Sequence, residues 1–260
     1  MKAIILAAGQ GTRLKKYTQD LPKGMLSFMG KTIIERQIEL YEECGIDDII
    51  VVTGFASERI NYKGVKYYHN DKFEETNMVE SLMTAKPEFD DDIIVSYSDI
   101  LFEKRLLEGM MNCSEDFGCA VDDVWQEYWK KRYGEVNYDT ESLSIDGNDN
   151  ITELGLEDPL LEDIDARYIG LLKFSNIGMR TVVDTMERAY EKYEDKPWQQ
   201  SGKPVRKAYM TDLLNALIEA GECVKAVHFN HGWIEFDTND DYEKANEWVK
   251  DSSILKVIRL

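Results

Sequence analysis

The stretch Leu6-Ala7-Ala8-Gly9-Gln10-Gly11-Thr12-Arg13, followed nine residues later by Pro22-Lys23, decides how this chain is read. It ends an unbroken apolar run, Ala3 to Ala8, of the kind found in a parallel strand buried on both faces. Glycines after such a strand let backbone N–H groups approach phosphate oxygens, because no Cβ intervenes. In open α/β sheets ligands settle beyond the carboxyl ends of the strands, where this loop lies. Arg13 and Lys23 then offer two fixed cations to a triphosphate. The dinucleotide-binding fingerprint fails, since Leu14 stands where its third glycine belongs, and no GKS or GKT follows as a P-loop requires.

Outward from this loop, strands and helices alternate. Thr32 and Glu35 have capping-box spacing, and Ile33, Ile34, Gln37, Ile38 and Tyr41 continue at helical intervals to Gly45. Strands are expected at 48–53, 65–69 and 93–97, with a helix over 77–85. The second half is more mixed, with strands expected at 118–121, 142–145, 151–154, 167–174, 223–229 and 233–236. Helices are expected at 177–193, 209–220 and 240–250, and the segment 194–207, with Pro197, Gly202 and Pro204, reads as a loop able to cover a site. These lengths predict one α/β domain over 1–260, Rossmann-like, with a mostly parallel mixed sheet and helices on both faces. Residues 1–120 form the expected nucleotide-binding half, and 121–260 the half that binds an acceptor and supplies a second metal ligand.

Composition narrows the function. The 260 residues carry 31 basic and 50 acidic side chains, a net charge of -19, which repels nucleic-acid phosphates. No apolar stretch is long enough to cross a bilayer, and the first residues lack a signal-peptide pattern. The four cysteines show no CxxC spacing and read as reduced thiols. A cytoplasmic protein without nucleic-acid or membrane partners is expected.

The opening motif resembles the signature of the sugar-phosphate nucleotidyltransferase superfamily, LAAGxGxRL…PK, at the same spacing; Leu14 and Thr18 also fall where that family commonly has them. The resemblance implies that Leu6, Ala8, Gly9, Gly11, Thr12 and Arg13 surround the nucleotide. Arg13 would bind the leaving pyrophosphate, and Lys23 would contact the α-phosphate. Lys16 and Tyr17 replace the Pro-Leu of the sugar-activating branch. Over most of its length the chain is more similar to the cytidylyltransferase branch, which acts on phosphocholine, phosphoglutamine and phosphonates in routes such as capsule synthesis. Within Glu75–Leu82, a T-N-M-x-x-S-L pattern places Asn77 and Ser81 one helical turn apart, where that branch lines its base pocket. An ordinary N-cap at Thr76 or Asn77 explains the same residues. CTP is the expected donor. A hexose-1-phosphate uridylyl- or thymidylyltransferase, and a non-catalytic nucleotide-sensing subunit, are the alternatives.

Transfer of this kind rests on charge neutralisation and alignment. Magnesium, or manganese, takes hard oxygen ligands, often one or two carboxylates beside phosphate and water. Asp99 follows the 93–97 strand, and Asp237 lies in Trp233-Ile234-Glu235-Phe236-Asp237; Glu235 stands two residues away, able to join or replace Asp237. A phosphate or phosphonate acceptor is already largely ionised near neutral pH, so no general base is needed, and His69, His228 and His231 read as structural. The segment Asp122 to Tyr133 mixes aromatic and charged residues: Trp125 and Trp129 are candidates for an ammonium group, and Lys130 and Arg132 for a phosphate. Trp125, Tyr128, Trp129 and Tyr133 also sit at helical spacing, which suits a helix packed on the core. A homodimer is compatible with the sequence.

Overall fold

The computed structural model describes residues 1–260. In the first half, β1 (Lys2–Ala7) leads through the glycine loop to a small hairpin, β2 (Ser27–Phe28) and β3 (Lys31–Thr32), and to α1 (Ile33–Glu43). β4 (Ile49–Thr53), β5 (Val65–His69), α2 (Met78–Thr84), β6 (Ile93–Tyr97), β7 (Ile100–Phe102) and α3 (Lys104–Met111) follow. The second half begins with β8 (Phe117–Asp122), α4 (Trp125–Tyr133), β9 (Glu141–Ile145), β10 (Asn150–Glu157) and β11 (Arg167–Phe174). It continues with α5 (Asn176–Tyr193), β12 (Pro197–Trp198), β13 (Lys203–Pro204), α6 (Met210–Glu219), β14 (Val224–Phe229), β15 (Trp233–Glu235) and α7 (Asn239–Lys250).

Nine strands form one mixed sheet in the order β5-β4-β1-β6-β11-β8-β14-β10-β9. The first-half strands β5, β4, β1 and β6 are mutually parallel, so their carboxyl ends share one edge. β11 enters antiparallel between β6 and β8, which carries its amino end to that same edge. Period-two alternation along β1 divides the core: Ala3, Ile5 and Ala7 face α1, α3 and α4, whereas Ile4 and Leu6 face α2, α5 and α6. All six β1 side chains are buried, which explains the unbroken apolar run. Each fully buried isoleucine stabilises the fold by roughly 1.5–3 kcal/mol.

Local signals act where the sequence places them. The Thr32 hydroxyl accepts from the Glu35 amide at 3.1 Å, and the Thr32 amide donates to Glu35 Oε2 at 3.2 Å, closing the capping box of α1. Asn77 caps α2 through its own Oδ1, which accepts from the Met78 amide at 2.9 Å. The segment 194–207, expected as a loop, carries the β12–β13 hairpin and docks on α2, where the Asn77 amide donates to the Arg206 carbonyl at 3.1 Å. No helix is long and apolar enough to cross a membrane.

Candidate active site

At the end of β1 the backbone amides of Gly9, Gln10, Gly11, Thr12 and Arg13 donate to no group in the protein. A run of free N–H groups in a tight loop is an anion-binding concavity. Gly11 holds the left-handed conformation, φ 68°, and a Cβ there would lie 3.2 Å from the Lys23 Cβ, so both backbone and space favour glycine. The buried Thr18 hydroxyl closes the loop from below, placed 3.0 Å from the carbonyls of both Gly11 and Leu14. The next turn places Lys23. Gly24 lets that turn press against the end of β6, since a Cβ there would stand 2.9 Å from the Ser98 Cβ and 2.7 Å from Ile34.

Asp99 and Asp237 meet across a short ribbon. β15 pairs antiparallel with β7, Glu235 opposite Ile100, and the Phe236 amide donates to the Asp99 carbonyl at 2.9 Å. Residue 237 is thereby carried beside residue 99. Lys23 Nζ stands between the two carboxylates, 2.6 Å from Asp99 Oδ2 and 2.6 Å from Asp237 Oδ1. Arg13 pairs with the other oxygen of Asp237 and reaches Asp139 at 3.4 Å. Burial works to lower the pKa of Lys23, but the carboxylates of Asp99 and Asp237 outweigh it and hold the group above its ordinary value. Burial likewise acts to raise Asp237, and Lys23 and Arg13 overcome it, keeping the carboxyl below its usual range. Asp99 Oδ1 is buried and has no hydrogen-bond partner. An unsatisfied carboxylate oxygen beside a second carboxylate fits a hard divalent cation. Glu235 instead pairs with Arg132, leaving Asp99 and Asp237 as the two facing carboxylates.

Two cavities adjoin at this point and share Lys23, Met78, Tyr97 and Asp99 in their walls. One, of about 210 Å³, is lined by Leu6, Ala8, Gly9, Gly11, Asn77 and Ser81; the other, of about 220 Å³, by Arg13, Arg167, Tyr168, Tyr209, Glu235 and Asp237. The profile describing the MobA-like NTP transferase domain matches residues 3–220. The chain belongs to this family.

This nucleotidyltransferase is 35% identical to the CTP:phosphoglutamine cytidylyltransferase of Campylobacter jejuni over 254 residues, 94% of this chain and 98% of that protein. It is also 35% identical to the choline-phosphate cytidylyltransferase of Streptococcus pneumoniae over 150 residues, 56% of this chain and 64% of that one. The fold is shared with the solved CTP:phosphocholine cytidylyltransferase from Streptococcus pneumoniae, at a TM-score of 0.72 and 23% identity over 95% of this chain and 98% of that one. It is shared too with the inositol-1-phosphate CTP transferase from T. maritima, at a TM-score of 0.67 and 18% identity over 100% of this chain and 98% of that one.

Several expected residues fall elsewhere in this NTP transferase. The Thr12 side chain is exposed and lines a separate recess with Gln10, Lys15 and Gln19, while its amide stays in the anion-binding loop. Trp125 and Trp129 are buried in the core and line neither cavity; Trp129 donates through Nε1 to the Tyr138 carbonyl at 2.9 Å. They cannot surround an acceptor's ammonium group. Arg132, 1% exposed, donates through Nε to Asp241 Oδ1 at 2.6 Å and through Nη2 to Asp241 Oδ2 at 2.8 Å, so no donor face is left for a phosphate. Lys130 is exposed and also lines neither cavity. The apolar period of α4 sets this arrangement: Arg132 continues the stripe of Trp125, Tyr128 and Trp129 into the core, while Lys130 lies off it.

Two contributors escaped the sequence reading. Gln37 is buried, and its Nε2 donates to the carbonyls of Tyr97 at 2.8 Å and Ile100 at 2.7 Å, clamping the turn that bears Asp99. Its signal is a polar residue inside the apolar stripe of α1. The second, Arg167, opens β11 and gave no signal beyond a charge at a strand end. His69, His228 and His231 line neither cavity and are engaged by Thr53, Asp123 and Glu127.

Proposed function

We propose that the protein transfers CMP from CTP to a small acceptor bearing a phosphate or phosphonate, releasing pyrophosphate. An acceptor oxygen forms a bond to the α-phosphorus, and the bond from that phosphorus to the oxygen bridging to the β-phosphate breaks. The carrying observation is the junction of two cavities at Lys23 and Asp99, below a loop of free backbone amides. The loop from Gly9 to Arg13 cradles the triphosphate, Arg13 steadies the departing pyrophosphate, and Lys23 neutralises charge at the α-phosphate. Asn77 and Ser81 contact the base. With its Oδ1 held by the cap of α2 and one Nδ2 hydrogen directed to the Lys207 carbonyl at 3.5 Å, Asn77 offers its second amide N–H, a donor suited to the acceptor atoms on the pyrimidine edge.

Asp99 and Asp237 are the residues that would hold Mg²⁺, with Mn²⁺ equally suited to their oxygens. Such a cation withdraws charge from phosphate oxygens when bound. No side chain is needed as general base, because the second pKa of a phosphate monoester is about 6 and the attacking oxygen is already anionic. Residues 1–120 thus serve the nucleotide, and 121–260 supply Asp237 and most of the acceptor cavity. A CDP-linked product made in the cytoplasm is the kind of activated precursor used to decorate a cell-surface polysaccharide.

The reading is tested by following pyrophosphate release with each nucleoside triphosphate against phosphoglutamine, aminoethylphosphonate, phosphocholine and hexose 1-phosphates, with magnesium present. Turnover with CTP and one of the first three is expected. Turnover only with UTP or dTTP and a hexose phosphate would overturn it.

A further inference from the structure

Arg167 lines the second cavity, yet its Nε and Nη1 are closed off from solvent and donate to nothing. Its guanidinium lies 4.6 Å from the Trp129 ring, a stack that holds the planar fork from one side. The path of β11 sets its position. That strand runs antiparallel to β6, with Leu171 opposite Ser96. Gly170 then meets the Tyr97 ring so closely that a Cβ there would stand 2.6 Å from it. The Tyr168 hydroxyl donates to that of Tyr97 at 2.9 Å. Residues 167 and 168 thus lie over the end of β6 that leads into Asp99.

Charge in this cavity is unevenly committed. Five carboxylates line it, Asp99, Asp139, Glu141, Glu235 and Asp237, against three cations, Arg13, Lys23 and Arg167. Lys23 is held between Asp99 and Asp237, and Arg13 by Asp237 and Asp139. These two are also the cations on which the nucleotide draws in the proposed reaction, Lys23 at the α-phosphate and Arg13 at the pyrophosphate. Arg167 forms no ion pair, so it is the one cation of this wall that neither a carboxylate nor the nucleotide engages. A second phosphate entering among five carboxylates needs a counter-charge, and a buried charged donor without a partner is costly. One contact answers both needs, because a guanidinium fork matches two oxygens of a phosphate or phosphonate.

We infer that Arg167 binds the phosphate or phosphonate group of the acceptor, gripping two of its oxygens and turning the third towards the α-phosphorus. The inference rests on the proposed reaction, since only there does a second phosphate enter this cavity. Arg167 then reads the group that every acceptor of the class shares, and other residues of the wall read the remainder of the molecule.

The test is titration calorimetry of phosphoglutamine, phosphocholine and aminoethylphosphonate into the full-length wild type, Arg167→Met and Arg167→Lys. Each protein is verified as folded and saturated with magnesium and a non-hydrolysable CTP analogue. Whichever acceptor the wild type binds should lose roughly 10- to 100-fold in affinity in Arg167→Met, the scale of a hydrogen bond to a charged group. Affinity for the CTP analogue should be unchanged. Arg167→Lys, which keeps the charge without the fork, should fall between the two. Inorganic phosphate, titrated in the same complexes and followed by phosphorus NMR line broadening, should weaken in parallel and needs no knowledge of the acceptor. Three results would each overturn the inference: phosphate binding undiminished in Arg167→Met, a loss confined to acceptors bearing a carboxylate, or an equal loss of affinity for the CTP analogue. Absence of turnover by the wild type with CTP and any of the three acceptors would instead reject the proposed reaction.

Discussion

Replacing Arg132 by methionine distinguishes a structural role from acceptor binding. The guanidinium is 1% exposed and makes two hydrogen bonds to Asp241, itself 4% exposed, besides its contact with Glu235. Methionine preserves much of the volume but leaves two carboxylates without their cation. Breaking a buried pair from one side costs about 3–5 kcal/mol. At about 2–4 °C per kcal/mol for a domain near this size, Tm should fall by roughly 6–20 °C. The effect reaches the site through one short path. Asp241 Oδ2 accepts from the Asp237 amide at 3.2 Å and the Thr238 amide at 2.7 Å, so it fixes the turn presenting Asp237. Misplacing a positioned group by about 1 Å can cost on the order of 100-fold in rate. Thermal unfolding by circular dichroism and steady-state pyrophosphate release, measured below the lowered Tm, should show reduced kcat with a nearly unchanged acceptor KM. Adding Asp241→Asn to the variant should return part of the lost stability. An unaltered Tm together with a greatly raised acceptor KM would refute this reasoning and restore Arg132 to the acceptor.

Gly11→Ala should reduce turnover with a modest loss of Tm, because the left-handed backbone costs a non-glycine residue about 1–2 kcal/mol and the new methyl presses on Lys23; kinetics and calorimetry check it. Gln37→Leu, which removes both clamps on the Asp99 turn, should lower kcat more than the KM for CTP, measured by initial rates. At the far end of β1, hydrogen bonding from Lys2 holds the Glu88 carboxyl down at about 2, against an ordinary 4.5. The stability this supplies is complete above the ordinary value and is lost as pH falls from 4.5 towards 2. Glu88→Gln should therefore unfold more easily at neutral pH yet show a shallower fall in Tm through that acid range, as pH-dependent melting would reveal.

Local chemistry made the first half legible. A strand buried on both faces, a capping box and glycines at a strand end are signals within a few residues of one another, and β1, α1, α2 and the loop follow them. Asp99 and Asp237 were readable as strand-end carboxylates, but their meeting depends on the β7–β15 register, which no local pattern encodes. The antiparallel entry of β11 into the sheet is likewise a matter of long-range pairing, and it alone brings Arg167 to the site. Arg132 and Lys130 look alike as isolated cations. Only the phase of α4 separates them: Arg132 falls on its buried face with Trp125, Tyr128 and Trp129, and Lys130 does not.

The central claim is that Lys23, poised between Asp99 and Asp237 beneath the amide loop, stabilises charge as the nucleotidyl group moves. Its most direct test is the single-turnover rate of Lys23→Ala with saturating CTP, magnesium and phosphoglutamine, in protein verified as folded. The account predicts a fall of at least about 100-fold, the scale of losing one transition-state contact. A rate close to that of the wild type would contradict it.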